Sequence, residues 1–173
     1  MSKRHIVLIG LPGAGKTTVG RLLAERLHAG FVDIDTVLMR HEGKPITMIF
    51  AEKGEQAFRV LERQAMESAL TQEPAIIAPG GGWAAQPGAL DGAKANGLVI
   101  YLRTRPETAA QRAGPEGTRP LLLGQDPVER MRALLKEREG AYLSAHEIVD
   151  TDRKQPEQVA GDLANLAQTR GGW

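Results

Sequence analysis

The sequence predicts an α/β protein in which a central parallel sheet of five strands carries helices on both faces. Three observations predict it. Five short apolar runs, at residues 6–9, 31–33, 75–78, 98–102 and 147–149, are separated by longer segments of helical spacing, and strands alternating with helices imply crossover connections and a parallel sheet. The runs are continuous rather than alternating, as in strands buried on both faces. A chain of 173 residues with 42% apolar composition suits one hydrophobic core, so a single domain over 1–173 is expected.

Taken in order, Ile6-Val-Leu-Ile9 ends at Gly10 and a glycine-rich turn. From Thr17 onward Val19, Leu22, Leu23 and Leu27 recur at helical spacing, and Gly30 is expected to close that helix before the strand at 31–33. Further helices are expected near 46–72, 106–112, 126–143 and 155–169. Residues 79–97 and 113–127 interrupt the pattern with Gly, Ala and Pro, the second segment around Arg119. Long segments of this kind in a compact α/β domain commonly serve as active-site loops or lids. The last five residues read as a frayed tail.

Composition narrows the function. The formal charge is +1, so no global field draws the chain to nucleic acid or an anionic membrane, and neither is expected as a partner. With no cysteine, disulfides, thiolate metal sites, iron–sulfur clusters and cysteine nucleophiles are excluded together. No apolar run is long enough for a signal-peptide core or a membrane span, and a soluble cytoplasmic protein is expected. The four histidines, His5, His28, His41 and His146, lack metal-ligand spacing and are expected at the surface or at strand edges.

The chemistry is carried by Gly10-Leu-Pro-Gly-Ala-Gly-Lys16-Thr17, which fits the phosphate-binding pattern G-x-x-x-x-G-K-[ST] at every specified position. The preceding apolar strand and following amphipathic helix supply the context the motif requires. Glycines let consecutive backbone N–H groups turn around phosphate oxygens, and the helix N-terminus adds its positive end. Gly13, Ala14, Gly15, Lys16, Thr17 and Thr18 are therefore the expected ATP-binding set. Lys16 supplies a charge that follows the β- and γ-phosphates, and Thr17 a hydroxyl for Mg²⁺. No N-K-x-D guanine element is present. Asp33 and Asp35 end the second strand, and an i, i+2 pair there projects to one side of the sheet. Asp33 is expected to hold the Mg²⁺ hydration shell and Asp35 to take the proton of an acceptor hydroxyl.

The whole set resembles the shikimate kinase family. Beyond the phosphate loop and Thr18-Val-Gly-Arg-Leu-Leu-Ala, the resemblance rests on Phe31-Val-Asp-Ile-Asp35, Ile46-Thr-Met-Ile-Phe50, Gly54-Glu-Gln-Ala-Phe-Arg59 with Glu62, Gly80-Gly-Gly82 and Thr118-Arg-Pro-Leu-Leu122. It implies a three-layer P-loop kinase fold of the nucleoside-monophosphate-kinase type, with a mobile lid over about 113–125 and acceptor-binding helices over about 34–62. The implied reaction is ATP-dependent phosphorylation of the 3-hydroxyl of shikimate with Mg²⁺, by a monomer. A related P-loop kinase for another small hydroxy acid or a nucleoside monophosphate is the alternative. Catalysis falls to Lys16, Asp35 and Arg119, the last matching the lid arginine. The resemblance places Asp35, Arg59, Gly80, Gly81, Gly82 and Arg138 around shikimate, and Arg112 and Lys154 where the family contacts adenine.

The physical reading of these residues agrees, since a carboxylate on a small polyol is best gripped by forked guanidinium groups. Glycines at 80–82 allow backbone amides to approach the ring, and Ile46, Phe50 and Phe58 are expected to wall its apolar side. Three stretches depart from the family. Its usual R-x-P-L-Y reads here Arg138-Glu-Gly-Ala-Tyr142, Pro79 precedes the triplet, and Trp83 follows it. The first change is expected to loosen the helix end that aims Arg138, and Trp83 is expected at the wall of the acceptor pocket.

Overall fold

The computed structural model describes residues 1–113 and 126–173. Its sheet has five strands, β1 (His5–Ile9), β2 (Gly30–Asp33), β3 (Ala75–Ala78), β4 (Gly97–Arg103) and β5 (Glu147–Asp150), in the order β2-β3-β1-β4-β5. Every pairing is parallel, and Ile6 stands opposite Ile76 on one side and Leu98 on the other.

Alternation within the buried strands assigns the two faces. Ile6, Leu8, Ile76, Leu98, Ile100 and Leu102 point to one side, where they meet α1 (Lys16–Leu27) and α7 (Pro156–Arg170) through Val19, Leu23, Val159 and Leu163. Val7, Ile9, Ile77, Val99 and Tyr101 point to the other. There they are covered by α2 (Ile34–Glu42), α3 (Ile46–Leu70), α4 (Ala89–Asn96), α5 (Pro106–Ala113) and α6 (Pro127–Leu143). Each fully buried Leu or Ile contributes about 1.5–3 kcal/mol, so the three layers specify each other. Among the described residues no helix is long and apolar enough to cross a membrane.

Several expectations are corrected here. His28, in the left-handed region at φ 53, ends α1 by turning its N–H to Ala24 and Glu25, while Gly30 opens β2. Two helices go beyond those read from periodicity, and the first of them falls within the 34–62 range that the resemblance implies for acceptor-binding helices. α2 starts at once after β2 because the Asp33 carboxylate accepts the Thr36 N–H at 3.1 Å, and α4 forms inside the Gly/Ala-rich stretch by burying Leu90 and Ala93. The long helix α3 is interrupted at Gly54, whose φ of 82 and ψ of 168 lie outside helical space.

The tail is not frayed. Arg4 N–H donates to the Gly171 carbonyl at 2.9 Å and the Trp173 indole N–H to the Arg4 carbonyl at 2.9 Å. His5 is likewise buried, accepting the Ala75 N–H on Nδ1 at 3.2 Å with Nε2 at 3.2 Å from the Leu70 carbonyl. It pins the start of β1 to the connection between α3 and β3.

Because all five strands run the same way, their carboxyl ends form one rim, the usual ligand edge of a doubly wound sheet. The phosphate loop leaves β1 there, Asp33 ends β2, Pro79 and Gly80 follow β3, Thr104 follows β4 and Thr151 follows β5.

Candidate active site

A cleft of about 1080 Å³ opens along this rim. Gly13, Ala14, Gly15, Lys16, Thr17 and Thr18 all line it. The loop's shape depends on distant backbone: a Cβ on Gly13, at φ 83, would stand 2.2 Å from the Ala109 carbonyl oxygen, and one on Gly10 2.7 Å from that of Leu102. Only glycine admits such approach. The Lys16 ammonium donates to the carbonyls of Gly10 at 2.7 Å and Leu11 at 3.0 Å. Thr17 Oγ1 donates to Asp33 Oδ2 at 2.7 Å, so the hydroxyl and the carboxylate expected to serve one cation are already adjacent.

Asp33 and Asp35 do not form a strand-end pair. Asp33 is the N-cap of α2, and Asp35 lies in that helix's first turn. Both still line the cleft, because a helix start placed at the rim turns its opening residues toward it. Asp33 thus combines two tasks, capping a helix through Oδ1 and meeting Thr17 through Oδ2.

At the far end of the cleft, beside β5, Arg112 reaches from α5 to Thr151, donating to Oγ1 at 3.3 Å and to the carbonyl at 3.4 Å. Thr151 is buried and shares a 2.6 Å hydroxyl contact with Thr104, which ties the ends of β4 and β5 together. Lys154 lines the cleft but pairs with Asp162 at 2.9 Å. Arg153, beside it, also lines the cleft and holds a left-handed φ of 61. Nothing in its sequence position announces it.

Near β3 the arrangement is tighter. Gly80 and Gly81 line the cleft, whereas Gly82, Arg59 and Arg138 stand behind that lining. A Cβ on Gly82 would lie 2.4 Å from Arg59 Nη2, and one on Gly81 3.2 Å from Arg138 Nη1, 2.9 Å from Pro12 Cδ and 3.2 Å from the Gly10 carbonyl oxygen. Gly81 and Gly82 are therefore glycine because two guanidinium groups and the phosphate loop occupy the space a side chain would need. Arg59 donates to Glu62 at 2.8 Å, and Glu62 is fully buried. Arg138 is 6% exposed, and its Nη1, like Arg59 Nε, is buried without a hydrogen-bond partner among the described residues. A buried donor left unpaired costs about 1–3 kcal/mol, a cost that an incoming anionic ligand can remove.

A family model described as shikimate kinase matches residues 12–168. The chain belongs to the shikimate kinase family. A shikimate kinase from Thermobifida fusca is 46% identical over 173 residues, covering 99% of each chain. Among solved structures, the shikimate kinase from Acinetobacter baumannii in complex with shikimate superposes with a TM-score of 0.92 at 35% identity, over 96% of this chain and 94% of that one. A gluconokinase from Sinorhizobium meliloti, at 19% identity and a TM-score of 0.61, over 96% of this chain and 95% of that one, shares the fold alone.

Within this family frame, three expectations change. Trp83 is 3% exposed and packed in the core, away from the cleft lining. Its N–H closes a turn onto Gly80 and the following chain runs back over the sheet, so the indole turns inward. Of the three expected apolar wall residues only Ile46 lines the cleft, and Phe58 is core, 5.4 Å from the Phe50 ring. The α6 end is not loosened: the helix runs through Gly140 and Ala141 to Leu143 with Arg138 buried inside it. Arg119 and, apart from Ala113, the expected lid over 113–125 lie outside the described residues.

Glu62 and Tyr142 were not singled out by their residue type. Glu62 had two signals, its place in the family resemblance and its position three residues after Arg59 on a helix, where the two side chains share a face. Tyr142, whose hydroxyl donates to the Gly81 carbonyl at 2.6 Å, had its place one turn after Arg138 and its match to the last position of the family's R-x-P-L-Y.

Proposed function

We infer that this protein transfers the γ-phosphoryl group of ATP to the 3-hydroxyl of shikimate, yielding shikimate 3-phosphate and ADP. One observation carries the reading: two buried guanidinium groups with unsatisfied N–H donors flank the glycine turn on the rim that also holds the phosphate loop. Paired forks suit a carboxylate, which a neutral polyol lacks. The assignment places the acid group of shikimate toward Arg59 and Arg138 and its reacting hydroxyl toward Asp35.

Transfer then proceeds in line. Asp35 accepts the hydroxyl proton as the acceptor oxygen bonds to Pγ, and the bond from Pγ to the β–γ bridging oxygen breaks, leaving ADP. Lys16 follows the charge that accumulates on the migrating group, and the loop amides of Gly13 to Thr18 hold the phosphates that stay. Arg119, carried over from the family pattern, completes the charge compensation from the lid. Arg112 and Lys154 flank the adenine in the same reading.

Thr17 and Asp33 fit a Mg²⁺ ion, since a hydroxyl and a carboxylate 2.7 Å apart are hard oxygen donors and this ion keeps several waters beside few protein ligands. Bound there, it would neutralise the β- and γ-phosphate oxygens. The protein is read as a cytoplasmic, single-domain monomer.

The deciding experiment is ADP release by purified protein with MgATP, with and without shikimate. The reading expects turnover that depends on shikimate and product phosphorylated at the 3-hydroxyl. Equal release without shikimate, or turnover only with another hydroxy acid or a nucleoside monophosphate, overturns it.

A further inference from the structure

We propose that Tyr142 is a positioning residue for the acceptor site, acting through the peptide that joins Gly81 to Gly82; the inference rests on the shikimate reading above. The Tyr142 hydroxyl donates to the Gly81 carbonyl oxygen at 2.6 Å, and the side chain is fully buried. Its ring lies 5.0 Å from that of Tyr101 with the planes tilted by 31°, so packing fixes where the hydroxyl points. The peptide is trans, and in a trans unit the carbonyl and the following N–H point in opposite directions from one plane. Holding the Gly81 oxygen therefore aims the Gly82 N–H and sets the tilt of the turn.

Gly81 is the place where such control matters. The space a Cβ would take there is already bounded by Pro12 Cδ at 2.9 Å and the Gly10 carbonyl oxygen at 3.2 Å, both of the phosphate loop, and by Arg138 Nη1 at 3.2 Å. The Gly10 carbonyl in turn accepts the Lys16 ammonium at 2.7 Å. A rotation of the Gly81 to Gly82 peptide would move the glycine turn against the arginine behind it and against the loop that carries the donor phosphates. Tyr142 is one helical turn after Arg138 on α6, so the two side chains leave the same face. One helix thus delivers a guanidinium to the turn and, four residues later, locks the turn it approaches.

The same contact explains how α6 keeps Arg138 in place despite Gly140. A glycine inside a helix weakens it relative to alanine, and a buried hydroxyl-to-carbonyl bond just beyond it offsets that loss. Arg138 and Tyr142 bracket the weak point and attach both sides of it to one turn.

The test is Tyr142→Phe, which keeps the ring and removes only the donor. Two readouts are taken on the full chain: calorimetric affinity for shikimate and for MgATP, and the amide resonance of ¹⁵N-labelled Gly82 without ligand. The expected result is about a tenfold loss of shikimate affinity, MgATP affinity unchanged, and a displaced Gly82 resonance. An unmoved Gly82 resonance, an unchanged shikimate affinity, or equal losses for both ligands each overturns the proposal. If the unsubstituted protein binds MgATP but takes up no shikimate, the activity reading falls, and the Gly82 resonance alone then decides the clamp: displaced, it stands, and unmoved, it fails.

Discussion

Gly82→Ala tests the packing of the acceptor site with the smallest change available, one methyl group. The added Cβ would stand 2.4 Å from Arg59 Nη2 and 2.8 Å from both Cζ and Nη1, against about 3.4 Å for ordinary contact, so the guanidinium must retreat by about 1 Å. It has little room to do so. Its side chain is only 10% exposed, Nη1 is held at 2.8 Å by Glu62, and Glu62 is itself fully buried. Retreat therefore costs either the Arg59–Glu62 bond or the aim of the fork. A charged hydrogen bond to a carboxylate contributes about 1.5–3 kcal/mol, which corresponds to roughly 10- to 150-fold in affinity. Steady-state kinetics with shikimate varied at saturating MgATP should show a rise in KM within that range, while the KM for ATP stays near that of the unsubstituted protein. Because φ at Gly82 is not in the left-handed region, alanine adds no backbone strain there, so a fall in the melting temperature would report loss of the Arg59–Glu62 bond and an unchanged one would report a fork that is re-aimed with that bond intact. An unchanged KM for shikimate would refute the idea that this glycine exists to admit Arg59.

Asp35→Asn should cut turnover by about 10²–10⁴-fold while MgATP binding holds, since the amide keeps the size but cannot take the hydroxyl proton; retention of more than half of kcat contradicts the role. His146 accepts the Val99 N–H on Nδ1 at 3.0 Å, and burial first, then Arg4, Lys94 and Arg170, push its pKa below the usual 6.5. The unfolded chain then binds the proton more readily, so this contribution to stability is complete above about pH 6.5 and is lost as pH falls through that value toward the lowered folded one. Urea midpoints should fall between pH 7.5 and 5.5 by more in the unsubstituted protein than in His146→Gln, and equal falls would assign the loss to other groups. With Trp173 replaced by Phe, the emission of Trp83 should be blue, resistant to iodide and indifferent to shikimate; a water-like, readily quenched emission would contradict its place in the core.

How much could be read beforehand follows from how local each feature is. The phosphate loop is eight consecutive residues of fixed spacing between an apolar strand and a helix, and the sequence displays it whole. The five strands are legible for the same reason, because burial on both faces leaves continuous apolar runs. The Asp33–Asp35 geometry is not legible in the spacing because capping of the Thr36 N–H starts α2 immediately, which turns an i, i+2 strand relation into a helical one. The purpose of Gly81 and Gly82 was half visible: three glycines announce a close approach, but only the folded chain shows that Arg59, 23 residues earlier, and Arg138, 57 residues later, are what approaches. Trp83 and His5 misled because residue type weakly constrains burial for large amphipathic side chains. Both are settled by packing between segments far apart in the chain.

The strand order has a consequence for how the nucleotide cradle comes into being. β1 borders β3 and β4 and never β2, so both of its neighbours are synthesised after it. The loop it carries leans on Leu102 and Ala109, some ninety residues downstream, although its motif is finished by Thr17. A nascent or truncated chain therefore holds the full signature long before it holds the cradle, and nucleotide affinity becomes a report on completion of the β1–β4 pairing. Ligand that binds only the finished form draws the population toward it by mass action. ATP is in this sense a late selector among folding chains as well as the phosphoryl donor.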